Sequence, residues 1–146
     1  MKLTFQKAAL LNGINIVLKA VPSKTTMPIL ECILIDASTN EIKLTGNDME
    51  LGIETKVEGE ILEKGKIALD AKLFSEIVRK LADADAIVTI ESDEKFNTVI
   101  SGDNSVFKIQ GKDGEEFSYL PFIPILLSPV FTTFIYKILH PLLIFC

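Results

Sequence analysis

Hydrophobic and polar residues alternate over Lys2–Phe5, with Leu3 and Phe5 on one face, which predicts a strand. Gln6 stands at a helix start, and Leu10, Leu11, Ile14, Val17, Leu18 and Val21 then recur at helical spacing through to Pro22. Lys7, Asn12, Asn15 and Lys19 fall on the opposite, polar face. Gly13 inside this helix costs about 1 kcal/mol relative to Ala; it either allows close packing or is merely tolerated, and tolerance is the safer reading. A basic, prolyl loop (Pro22, Lys24, Pro28) delivers an apolar run from Ile29 to Ile35. After a turn at Ala37–Glu41, Ile42 and Leu44, then Leu51 and Ile53, alternate around the pivot Thr45-Gly46-Asn47-Asp48. The pattern predicts a three-stranded meander ending near Gly59.

A turn is expected at Glu60–Gly65, then a short strand over Lys66–Leu69 and an N-cap at Asp70. Lys72–Leu81 has the period of a helix, with Leu73, Phe74, Ile77, Val78 and Leu81 inward. Strands follow at Ala86–Glu91, Asn97–Ser101 and Ser105–Gln110, separated by turns at Ser92–Lys95 and Gly102–Asn104. The halves repeat: Leu3, Phe5, Gln6, Leu10, Ile14 and Val17 superpose on Ile67, Leu69, Asp70, Phe74, Val78 and Leu81. The fold class is therefore α+β, a duplicated β-α-β-β-β unit with two helices on one face of curved antiparallel sheet. Their polar sides would then be shown together.

Composition divides the chain. Residues 1–121 hold all 20 acidic residues against 14 of the 15 basic ones, a net charge of −6. So acidic a domain does not adhere to nucleic acid by bulk charge and needs a local basic face to meet it. Residues 122–146 are apolar, carry Lys137 and His140, and are interrupted by Pro124, Pro129 and Pro141. A membrane span needs roughly 20 predominantly apolar residues, and these prolines break the run, so membrane attachment is disfavoured. We expect one domain over 1–121 and a separate apolar tail over 122–146. Cys32 and Cys146 give neither a disulfide framework nor metal spacing, Cys32 reads as a buried thiol, and a reducing, cytoplasmic setting fits. The N-terminus lacks the apolar core of a signal peptide.

Candidate chemistry is sparse. Asp36, Asp48, Glu50 and Asp70 are scattered, the lone histidine lies in the tail, and no nucleophile–base set, phosphate loop, metal or cofactor motif appears. An enzyme is not expected. Asn47-Asp48 reads as a turn whose Asp48 caps backbone groups. The basic residues Lys7 and Lys19 on the first helix, Lys72, Arg79 and Lys80 on the second, and Lys24 on the loop converge if both helices line one concave face. From pattern alone a solvated helix face is the stronger reading, with Lys72–Glu76 and Glu76–Lys80 pairs worth a few tenths of a kcal/mol each.

Four stretches carry a resemblance. They are the strand-to-helix opening MKLTFQKAALLNGINIVLKAV, the loop Lys24-Thr25-Thr26-Met27-Pro28-Ile29-Leu30, the segment Leu44-Thr45-Gly46-Asn47-Asp48-Met49-Glu50, and Asp70-Ala71-Lys72-Leu73-Phe74 with the later GKDGEEFSYLP, where Ser118 replaces the usual proline. Together they resemble the N-terminal domain of the bacterial sliding clamp, the β subunit of DNA polymerase III, over about residues 1–121. The resemblance implies a non-catalytic processivity factor. In that family three such domains per chain form a head-to-tail dimer ring, with helices lining the hole around duplex DNA. Its implied partners are duplex DNA, held weakly and without sequence preference, the polymerase III holoenzyme and the clamp loader. Lys24, Lys72 and Arg79 match basic positions of the family's DNA-facing surface, and Lys7, Lys19 and Lys80 join them by helix-face geometry. Phe107 and Ile109 match apolar positions of the subunit interface, although ordinary core explains them equally. The second and third domains, which carry the partner pocket, have no counterpart here. A truncated or frame-shifted form is therefore expected, with a homodimer ring only if those domains are supplied. The alternatives are an interaction module docking on an intact clamp or clamp loader, and a membrane-anchored fragment.

Overall fold

The computed structural model describes residues 1–81 and 85–118. The expectations for the 122–146 tail, and for the last residues of GKDGEEFSYLP, lie outside them. β1 (Lys2–Gln6) runs directly into α1 (Lys7–Val17), which a short 3₁₀ turn, Leu18–Ala20, prolongs. A second 3₁₀ turn, Pro28–Glu31, leads to β2 (Cys32–Asp36), β3 (Ile42–Asn47), β4 (Gly52–Val57) and β5 (Glu60–Glu63). The order then repeats as β6 (Lys66–Asp70), α2 (Ala71–Lys80), β7 (Ile87–Ser92), β8 (Asn97–Gly102), β9 (Ser105–Gln110) and β10 (Lys112–Asp113). A single turn of helix, α3 (Gly114–Ser118), follows.

The duplication is present, but the units are interleaved. Among the described residues, two five-stranded antiparallel sheets form, in the orders β5-β1-β7-β8-β9 and β10-β6-β2-β3-β4. Each unit's first strand pairs with the other unit's meander. Leu3 and Phe5 oppose Ile90 and Val88, and correspondingly Ile67 and Leu69 oppose Ile35 and Ile33. Exchange puts β1 and β6 inside a sheet, where Leu3, Phe5, Ile67 and Leu69 become fully buried. The two sheets and the side-by-side helices share one continuous core with Leu10, Ile14, Val17, Phe74 and Val78. Burial of each such side chain contributes about 1.5–3 kcal/mol.

Several expectations change. The segment expected as a turn at Glu60–Gly65 contains β5, an edge strand pairing with β1, and β10 pairs likewise with β6, so among the described residues each unit has four strands after its helix rather than three. The apolar run from Ile29 begins as 3₁₀ turn because Pro28 sets its first residue, and pairs as strand from Cys32. It lacks alternation because β2 is buried on both faces. Ile33 and Ile35 join the main core, while Cys32 and Leu34 join Ile29, Leu30, Ala68 and Phe117 of α3 in a second cluster. Leu73 points outward, 43% exposed, because Phe74, Ile77 and Val78 already fill the buried stripe of α2. Of the two readings of Gly13, the structure favours close packing over tolerance. A methyl group there would stand 2.5 Å from Val57 Cγ2 and 3.2 Å from Leu44 Cδ1, so the absent side chain lets α1 settle on β3 and β4.

Candidate nucleic-acid interface

Helix α2 is set by its ends. Asp70 Oδ1 accepts from Leu73 N at 2.8 Å, the cap read from the sequence, and Arg79 and Lys80 occupy the last turn, where the helix dipole favours cations. Its buried stripe leaves Lys72, Glu76, Arg79 and Lys80 exposed. Helix α1 packs beside it and turns Asn12 and Asn15 outward.

The six basic candidates divide. Arg79 Nη2 donates to Asn15 Oδ1 at 3.0 Å, joining the polar faces of the two helices. Lys72 and Lys80 are exposed on α2, and Lys19 is exposed on the 3₁₀ turn after α1. Lys24 is exposed on the loop between the two 3₁₀ turns, where Thr25 Oγ1 accepts from Met27 N at 3.1 Å. Lys7 differs: its Nζ donates to the carbonyls of Leu81 and, at 3.4 Å, of Arg79. It is half-buried and faces α2's end. Sequence reasoning missed all three of these bonds between α1 and α2 or its end. The repeat did hold a signal for one of them, because Asn15 and Arg79, 64 residues apart, occupy equivalent positions in α1 and α2.

The Asn47-Asp48 pair forms the turn expected. Asp48 Oδ1 accepts from Glu50 N at 2.9 Å and Leu51 N at 2.6 Å, and Asn47 Oδ1 accepts from Met49 N at 2.7 Å. These bonds hold Met49 at φ 78°. Phe107 and Ile109 lie on β9, whose hydrogen-bonded neighbour among the described residues is β8 alone. Both are half-buried against the main core, whereas Val106, on the opposite face, is 63% exposed. Burial pushes the Cys32 thiol up to about 11. Among the described residues no cluster of three His, Cys, Asp or Glu side chains is arranged to hold a metal ion. Nor, among them, is any helix long and apolar enough to cross a membrane.

Residues 1–121 match the family model of the DNA polymerase III beta subunit, N-terminal domain. The beta sliding clamp of Bacillus subtilis (strain 168) is 41% identical over 129 residues, covering 83% of this chain and 34% of that protein. The beta sliding clamp of Synechocystis is 35% identical over 127 residues, covering 83% and 32%. The chain thus spans about a third of the length of these relatives. Among solved structures, a chain from Eubacterium rectale described as a DNA polymerase III beta subunit superposes with a TM-score of 0.79 at 65% identity, covering 84% of this chain and 33% of that one. The Bacillus subtilis sliding clamp superposes with a TM-score of 0.77 at 39% identity, covering 85% and 34%.

Proposed function

Because the chain belongs to the family of the DNA polymerase III beta subunit N-terminal domain, we propose that it serves as the DNA-facing N-terminal part of a sliding clamp in the cytoplasm. In this reading residues 1–121 are the clamp domain and 122–146 lie outside it. The clamp encircles duplex DNA and tethers the polymerase III holoenzyme after loading, and catalyses nothing. One observation carries the reading: the equivalent helices of the two units pack side by side, and Lys72, Arg79 and Lys80 stand exposed on α2. Lys19 and Lys24, also exposed, extend this set. Few cations on a domain of net negative charge suit a ring, which retains DNA by topology and needs only weak, sequence-blind phosphate contacts.

The test is fluorescence anisotropy of the full chain against two unrelated duplexes between 20 and about 200 mM salt, a range over which phosphate contacts weaken strongly. Weak, equal affinity that falls with salt supports the reading. Sequence-specific nanomolar binding, or affinity indifferent to salt, sinks it.

The edge position of β9 favours a second role, contact with another clamp subunit through the strand bearing Phe107 and Ile109. Capture of a full-length beta clamp by wild type and Phe107→Leu, but not by a folded Phe107→Asp, supports it. Equal capture by all three counts against that surface.

A further inference from the structure

Lys7 breaks a local rule. It opens α1, where the helix dipole disfavours an ammonium, the first turn holds no acidic residue, and Gln6 provides no side-chain cap. The compensation is tertiary. Lys7 Nζ donates to the carbonyls of Leu81 and Arg79. These lie at the negative end of α2, whose last carbonyls lack intrahelical donors. There α2 has no glycine cap, and Leu81 turns directly into extended backbone at ψ 135°. The Lys7 N–H in turn donates to the Ala86 carbonyl at 2.9 Å. One residue therefore holds both flanks of the connection from α2 to β7.

We propose that Lys7 is a positioning residue and not a phosphate contact: its ammonium fastens the C-terminal end of α2 to the start of α1, and so sets where Arg79 and Lys80 stand. This rests on the DNA-facing reading of those two side chains. An ammonium seated on two backbone carbonyls leaves them only by exposing helix-end acceptors that nothing else on α1 satisfies. Arg79 is doubly held, by its backbone through Lys7 and by its guanidinium through Asn15.

The experiment compares the full chain with Lys7→Met, Lys7→Arg and Lys24→Ala, by hydrogen exchange and by duplex affinity across a salt series. Lys7→Met is expected to speed amide exchange in the last turn of α2 by about tenfold, as loss of a charged hydrogen bond implies, with Lys7→Arg restoring most of the protection. Its affinity falls at every salt concentration while the slope of log K against log salt stays at the wild-type value. Lys24→Ala instead lowers that slope by about 0.9, the signature of one lost phosphate contact. A slope reduced by about 0.9 in Lys7→Met, or unchanged exchange in α2, overturns the proposal. Faster exchange in Lys7→Met, with no salt-dependent affinity in the wild type, overturns the DNA reading and reduces Lys7 to a tether of the fold. The two failures are thus told apart.

Discussion

Arg79 of α2 and Asn15 of α1 occupy equivalent places in the two units and hydrogen-bond to each other at 3.0 Å. The bond crosses the junction between the helices, where the polar faces meet. Asn15→Ala should change stability by no more than about 0.5 kcal/mol, because both partners are exposed. Arg79→Ala should do the same, yet also lower the salt slope of duplex binding by about 0.9. Thermal melts and a salt titration of the two variants check both halves of this prediction.

Gly13→Ala should destabilise by about 1–3 kcal/mol, although alanine is the better helix former by about 1 kcal/mol. The added methyl would meet Val57 Cγ2 and Leu44 Cδ1 on the sheet beneath. Val57→Ala opens that space, so the double variant should be more stable than the sum of the single losses predicts. Urea denaturation of the four proteins measures the coupling. Additive losses would show that the contact is not what makes glycine necessary.

Cys32 should react slowly with thiol reagents, at least about tenfold slower in the folded chain than in urea, because burial keeps it protonated. The thiol moves from an ordinary value of 9.0 up to about 11 in the folded state. Below pH 9 both states hold the proton and the contribution is fully present. As pH rises from 9 to 11 the unfolded chain releases it first, so stability falls. Melting temperatures from pH 8 to 11 should decline more steeply for wild type than for Cys32→Ala. Parallel declines would remove Cys32 as a cause.

Phe107→Ala should cost about 2 kcal/mol of stability in the isolated chain, less than a fully buried phenylalanine, because the ring is half-buried against the main core. Val106→Ala, on the exposed face of the same strand, should cost less than about 0.5 kcal/mol. Equal losses in denaturant titrations would mean that β9 is not seated as described.

Local chemistry was legible residue by residue. The Asp70 cap, the Asp48 turn, the two amphipathic helices and the hairpins of the second unit depend on interactions within a few positions, so spacing and residue type suffice to reveal them. The resemblance rested on the same short segments. The strand β5 was not legible, because its residues Glu60–Glu63 are mostly exposed and carry no strong alternation; pairing with β1 alone makes them a strand.

By itself the sequence determined the repeated order of strand, helix and meander, most of each buried stripe and which positions carry charge, since each follows from periodicity and chain-local bonding. Only the tertiary structure decided which strand pairs with which meander, that Gly13 serves close packing, and which groups Lys7 and Arg79 bond. Those outcomes depend on distant surfaces meeting. β1 and β6 change partners because exchange buries both, and Lys7 turns to the end of α2 because the carbonyls there offer its ammonium what its own helix cannot.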